Sequence, residues 1–170
     1  MSPRPARAGW RRPRAIDKNP FNFRYAGLIH IALPGAALIH CRRSPRATAL
    51  SIHQTFFSEH TKFPTGGRAL VRYYRAYHRL MDHWRKVLPA DRYLEVDYEE
   101  LTADPAFHAR RLLAHLGLPW DERCLRPECN PRRVKTATRG QIRQPIHRFS
   151  VERWRKYEAC LGPLADLPPA

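Results

Sequence analysis

Long apolar runs are missing from this 170-residue chain. None reaches the roughly 18 residues that a membrane-crossing helix needs, which excludes an ordinary helical span and predicts a soluble protein. Cysteine is also scarce. Cys41, Cys124, Cys129 and Cys160 are too scattered to staple a chain of this length, so a disulfide scaffold is excluded and a reducing, cytoplasmic setting is expected. Cys124 and Cys129, followed by His147, lack the second close ligand pair that a zinc site requires, and no metal is expected. Acidic residues are few, 15 against 31 Lys and Arg, leaving a net charge of +16. Lysine is rare within that excess: Lys18, Lys62, Lys86, Lys135 and Lys156 are all there is. The arginine richness reads first as coding bias and second as phosphate recognition. Nucleic acid, anionic lipid, sulfated glycan and a nucleotide cofactor are all compatible with such a charge, which by itself chooses none of them.

What is present fits one domain with a substantial core. Residues 1–14, rich in Arg, Pro and Ala and without acids, read as a disordered basic leader, and residues 15–170 as the folded domain. Residues 15–17 read as the stub of a strand. A helix is predicted over residues 21–33, with apolar positions broad enough for burial on several sides, ended by Pro34 and Gly35. A strand over 37–40 and a helix from Pro45 to about Phe57 come next. Residues 68–88 carry apolar side chains at Leu70, Tyr74, Tyr77, Met81, Trp84 and Leu88, the alternating spacing of an amphipathic helix. Its stripe of Arg68, Arg72, Arg75 and Arg79 reads as a solvated face ahead of a nucleic-acid-binding one. A strand over 92–96 follows, then a helix from Pro105, capped by Asp104 and closed by Gly117. Residues 127–146 read as a loop. Ser150 to Arg153 has the outline of a capping box before a short terminal helix holding Trp154 and Tyr157. The alternation of strands and helices points to an α/β layered domain with a parallel sheet.

The most informative stretch runs from His40 to Ser51. An apolar strand enters paired arginines, and Ser44 with Pro45 marks a helix start. Arg43 can fork onto a phosphate, the helix N-terminus adds N–H donors, and Ser51, eight positions after Arg43, lies about two turns along the helix. The plainer alternative is a surface arginine cluster after a buried strand.

Other strings accompany it, in order: 17–23 (Asp-Lys-Asn-Pro-Phe-Asn-Phe), 28–30 (Leu-Ile-His), 98–101 (Tyr-Glu-Glu-Leu), 141–145 (Gln-Ile-Arg-Gln-Pro) and 153–157 (Arg-Trp-Arg-Lys-Tyr). Over residues 16–164 the chain resembles sulfotransferases that use 3′-phosphoadenosine 5′-phosphosulfate (PAPS). It is most similar to the bacterial branch often fused to tetratricopeptide repeats and related to tyrosylprotein sulfotransferases. The resemblance implies a partial P-loop-type three-layer α/β domain, with a short parallel sheet flanked by helices. It also implies PAPS as sulfuryl donor, no metal, and a hydroxyl acceptor on a protein tyrosine, a carbohydrate or a lipid. It gives Lys18 the catalytic place beside the transferred group, Arg43 and Ser51 the 3′-phosphate, and Tyr98 a contact with the nucleotide. Thr138 falls where related enzymes place a serine near the cofactor, with Thr136 as its substitute, and Arg143 is a secondary phosphate partner.

The chain departs from that pattern in places. Ala47 stands where relatives often have Asp, and Ser44 replaces an earlier Asp. Nothing before Lys18 has the glycine- and hydroxyl-rich composition of the family's 5′-phosphosulfate loop, so the expectation is an incomplete domain, its loop supplied by an upstream segment or another chain. Asn19 holds the position where cytosolic relatives carry histidine, leaving His53 and His60 as acceptor-base candidates by proximity alone. Two other functions stay open: a noncatalytic nucleotide- or anion-binding module, and an arginine-rich nucleic-acid-binding protein, although the glycine-aromatic and paired-helix signatures of common nucleic-acid binders are absent.

Overall fold

The computed structural model describes residues 14–54, 66–130 and 144–167. A 3₁₀ turn, Asn22–Tyr25, leads into helix α1 (Ala26–Ala32), followed by strand β1 (Leu38–Arg42) and helix α2 (Pro45–Gln54). Helix α3 (Gly67–Val87) then carries the chain to strand β2 (Tyr93–Asp97), and α4 (Tyr98–Ala103) and α5 (Pro105–His115) follow. Beyond α5 the described chain is built of 3₁₀ turns, at Glu122–Leu125, Pro127–Cys129, Arg153–Cys160 and Gly162–Asp166.

The two strands form a parallel pair with Leu38 opposite Tyr93 and Arg42 opposite Asp97. The architecture is therefore α/β, a short parallel sheet with helices against it. Parallel neighbours need a long crossover, and α2 and α3 together provide it. Alternation along β1 turns Leu38, His40 and Arg42 to one face and leaves Ile39 and Cys41 exposed on the other. The spacing in α3 buries Leu70, Val71, Tyr74 and Met81 on one stripe. The main core joins Ala49 and Ile52 of α2 to Leu70, Val71 and Tyr74 of α3, and is closed by Leu161, Leu164 and Leu167 from the C-terminal turns. Asp97 and Asp104 cap α4 and α5 by accepting from the Glu99 and Phe107 N–H groups.

Several local expectations are corrected. Residues 15–17 form no strand. The segment expected as one helix over 21–33 is a 3₁₀ turn plus α1, and it is not buried on several sides: Leu28 is 66% and Ile31 78% exposed. Only Ala26 is buried in α1, because the helix meets α3 along a single line, at Gly27. The terminal helix around Trp154 is a 3₁₀ run, and Ser150 does not cap it, because its hydroxyl is hydrogen-bonded to the Tyr98 hydroxyl at 3.0 Å. The leader, apart from Arg14, lies outside the described residues, as do Thr136, Thr138 and Arg143. Among the described residues no helix is long and apolar enough to cross a membrane.

Candidate functional site

The chain leaves β1 at Arg42, turns through Arg43 and Ser44, and enters α2 at Pro45. This corner opens into a cavity of about 580 Å³ whose lining includes Lys18, Arg43, Ser51 and Tyr98. Four of the six residues singled out in the sequence thus come to one place. Lys18 reaches it from an exposed loop fixed at both sides: Asn22 donates to the Asp17 carboxylate at 2.7 Å, and the Phe21 N–H donates to the Asn19 side chain at 2.9 Å. Ser51 arrives from the second turn of α2, and Tyr98 from the first residue of α4, just past the C-terminal end of β2. Open parallel sheets bind ligands at that end of their strands.

Arg43 is held on two sides. Its guanidinium donates to the Ser150 carbonyl at 2.7 Å and lies over the Tyr98 ring, 5.0 Å from the centroid. Its Nε is buried without a hydrogen-bond partner among the described residues. A guanidinium clamped at one edge, with a buried N–H left over, suits an anion arriving from the cavity. Arg42 and Arg85 line the same cavity with Lys18, and among the described residues no carboxylate does. Arg42 is paired with Asp97 at 3.3 Å and Arg85 with Glu95 at 2.9 Å, which leaves Lys18 and Arg43 as the cations best placed to meet an anion.

The helix N-terminus itself is partly engaged. The Ser44 N–H donates to Glu99 at 3.0 Å, while the other Glu99 oxygen is buried without a partner. Burial pushes the Glu99 carboxyl above the usual range; the Ser44 N–H works against the shift and neighbouring Asp97 adds to it. Ser44 makes only a long contact, 3.5 Å, to the Ala47 N–H, so capping of α2 is weak.

Behind the cavity wall formed by His40, Tyr77, Arg85 and Tyr93, a polar network joins the sheet to α3. The ionised Glu95 carboxylate can only accept, so His40 donates from Nδ1 to it at 2.9 Å and accepts at Nε2 from the Tyr77 hydroxyl at 2.6 Å. Tyr93 donates to the same carboxylate at 2.7 Å and Arg85 at 2.9 Å. Burial opposes the Glu95 charge, yet bonds from Arg85, Tyr93 and His40 outweigh it and pull the carboxyl down to about 2. Burial likewise lowers His40, against the raising influence of Glu95, so the imidazole is neutral. Sequence reading missed this network and Ser150. Inward alternation of His40 and Glu95, with Tyr77 and Arg85 eight apart on one helix, was the available signal for the network; none pointed to Ser150. His53 faces outward on α2, and His60 lies outside the described residues.

Comparison with known proteins yields four findings. The model of the Sulfotransferase family matches residues 4–122. An uncharacterized protein of Aquifex aeolicus (strain VF5) is 40% identical over 160 residues, covering 91% of this chain and 21% of its own length. Omega-hydroxy-beta-dihydromenaquinone-9 sulfotransferase Stf3 of Mycobacterium tuberculosis is 32% identical over 164 residues, covering 92% of this chain and 41% of that protein. Among solved structures, the sulfotransferase domain of the Synechococcus PCC 7002 olefin synthase superposes with a TM-score of 0.63 at 22% identity, over 82% of this chain and 50% of that one. The likeness to it is one of fold. The chain spans between a fifth and two fifths of the curated relatives it matches.

Proposed function

The chain belongs to the sulfotransferase family, and from that premise we propose that it binds PAPS at the corner between β1 and α2 and serves sulfuryl transfer to a hydroxyl acceptor. The convergence of Lys18, Arg43, Ser51 and Tyr98 on one cavity carries this reading. Arg43 and Ser51 hold the 3′-phosphate, Arg43 through the N–H groups that Ser150 leaves free, Ser51 through its hydroxyl. Tyr98 contacts the nucleotide and braces the guanidinium. PAPS, when bound, supplies the sulfuryl group: a bond from the acceptor oxygen to sulfur forms as the bond from sulfur to the 5′-phosphate oxygen breaks, and the acceptor proton is released. Lys18 stabilises the negative charge gathering on that phosphate oxygen. Thr138 and Arg143, from the segment outside the described residues, add further contacts with the cofactor.

The cavity wall around Phe23, Leu70, Tyr74 and Tyr77 favours an apolar acceptor, a lipid or an aromatic hydroxyl, over a carbohydrate. The named mycobacterial relative, by its title a sulfotransferase of a hydroxylated menaquinone, supports that preference. The cysteines are free, in keeping with a reducing, cytoplasmic compartment.

Thermal denaturation with adenosine 3′,5′-bisphosphate tests the nucleotide site. A rise in Tm is expected, absent with 5′-AMP and abolished by Arg43→Ala. Ser51→Ala, which deletes one hydrogen bond to a charged group, is expected to weaken binding by roughly tenfold. Labelled sulfate transferred to a hydroxylated quinone then separates an enzyme from a noncatalytic anion-binding module. A Tm rise produced only by nucleic acid, with a steep dependence on salt, overturns the reading.

A further inference from the structure

Helix α1 carries its large aliphatic side chains outward. Leu28 and Ile31 are 66% and 78% exposed, and Tyr25 and Leu33, at the two boundaries of the helix, are 54% and 58% exposed. Positions 25, 28 and 31 recur every three residues, so their side chains form one continuous ridge. The other side of α1 faces the protein: Ala26 is buried and lines the cavity, and Gly27 meets the Trp84 ring. Lys18, Asn22 and Phe23, immediately before, line the cavity too. One short segment therefore has the cavity on one side and an uncovered apolar ridge on the other. Scattered exposed apolar residues are ordinary, whereas several gathered on one element mark an interaction surface. The charge around the ridge is of one sign. From Lys18 to Gln54 the sequence holds no Asp or Glu, but it holds Lys18, Arg24, Arg42, Arg43 and Arg46. Asp17, just before this stretch, accepts from Asn22, and Asp91 is paired with Arg92 at 3.3 Å. Arg24 is exposed at the head of the ridge, its guanidinium 4.8 Å from the Phe21 ring centroid and donating to the Tyr73 hydroxyl at 3.0 Å.

We propose that the α1 ridge docks on the surface of an anionic lipid bilayer and brings the cavity to an acceptor that resides in the membrane. The choice of occupant rests on the reading above that the acceptor is apolar. A hydroxylated lipid held in a bilayer has to be met at the bilayer surface, and the ridge adjoins the cavity that would receive it. Tyr25, Leu28, Ile31 and Leu33 enter the boundary between headgroups and acyl chains, while Lys18 and Arg24 meet the lipid phosphates. The seven residues of α1 extend about 10 Å, far short of the roughly 30 Å hydrocarbon core, so the helix lies in the interface and does not cross it. A second copy of the chain suits the ridge less well. Each copy carries a net charge of +16, and two ridges face to face would bring like charges together.

The probe is a vesicle of phosphatidylcholine with about a third phosphatidylglycerol, mixed with the full 170-residue chain in the absence of nucleotide. Co-flotation is expected, and much weaker binding to phosphatidylcholine alone. So basic a chain is drawn to any anionic surface, and the deciding comparison is therefore between two variants. Leu28→Ser/Ile31→Ser alters exposed side chains only, so Tm is expected to stay unchanged while vesicle affinity falls by at least about tenfold. Arg68→Gln/Arg72→Gln lies on the exposed stripe of α3 turned away from the cavity wall. Its effect is expected to stay below about twofold, because charges more than a Debye length from the bilayer are screened. Absence of vesicle binding, equal binding to phosphatidylcholine alone, an affinity that Leu28→Ser/Ile31→Ser leaves unchanged, or a fall just as large in the arginine variant overturns the proposal. So does self-association of the chain that Leu28→Ser/Ile31→Ser abolishes, which assigns the ridge to a second copy. Transfer of labelled sulfate keeps this inference apart from the functional reading. Docking without transfer to any hydroxylated quinone sinks the sulfuryl-transfer reading alone, and transfer to a short-chain hydroxylated quinone in solution without docking sinks the ridge alone.

Discussion

His40 ties the sheet to the long helix through Glu95 on one side and Tyr77 on the other, and its neutral state sets how the fold responds to acid. Burial lowers its proton affinity, so the unfolded chain takes up that proton first and stability falls as pH drops below the ordinary histidine value of 6.5. Glu95 acts in the same direction at lower pH. Its carboxyl, held near 2 against an ordinary 4.5, stabilises the fold above 4.5, and that contribution is lost as pH falls toward 2. Urea denaturation from pH 7 to pH 3 is expected to give a steadily falling midpoint. Glu95→Gln should flatten the lower part of that profile and cost about 1–3 kcal/mol at pH 7, since Arg85, Tyr93 and His40 lose a charged acceptor. At this scale the sequence was legible only in part. Lys18, Arg43, Ser51 and Tyr98 each sit inside a recognisable local string, whereas Ser150 meets Arg43 from 107 residues away, a contact that tertiary folding alone creates.

Among the elements, α3 was read directly from its spacing, and β1, β2, α2 and α5 from their apolar runs, caps and prolines. The attitude of α1 was not. Its run of apolar side chains suggests burial on several sides, but a helix can be apolar on a face that its own chain does not cover, and Leu28 and Ile31 form such a face. What fixes α1 is one close approach: a Cβ on Gly27 would lie 2.9 Å from the Trp84 ring, and Trp84 is itself held by donating to the Phe23 carbonyl at 2.7 Å. The ring cannot retreat without breaking that bond. Gly27→Ala gains a little helix propensity yet overpacks this joint, and a net loss of about 1–2 kcal/mol is expected in chemical denaturation. Because residues 17–23 lead directly into α1, the same variant should also displace Lys18, lowering any sulfuryl transfer more than the affinity for adenosine 3′,5′-bisphosphate, for which the β1–α2 corner is the proposed site.

For the molecule as a whole, the match to the family ends at residue 122, but the core does not. Leu161, Leu164 and Leu167 are buried against Ala49, Ile52, Leu70, Val71 and Tyr74, and thus fill the space between the helix that carries Ser51 and the helix that lines the cavity. Arg46 extends the same attachment, lying 5.1 Å from the Trp154 ring and donating to the Ala165 carbonyl. Burying a leucine contributes about 1.5–3 kcal/mol, so three together rival the roughly 5–15 kcal/mol that holds an ordinary domain folded. Removal of residues 161–170 is therefore expected to abolish cooperative thermal unfolding, whereas Leu164→Ala alone should cost about 2–5 kcal/mol and keep a single transition. Retention of a sharp transition by the shortened chain would show that α2 and α3 close the core without these turns. The C-terminal segment also carries Ser150 to Arg43, so the stability of the core and the posture of the arginine proposed to bind the anion are coupled. Leu164→Ala should then weaken adenosine 3′,5′-bisphosphate binding at temperatures well below its own Tm, although Leu164 lines no part of the cavity.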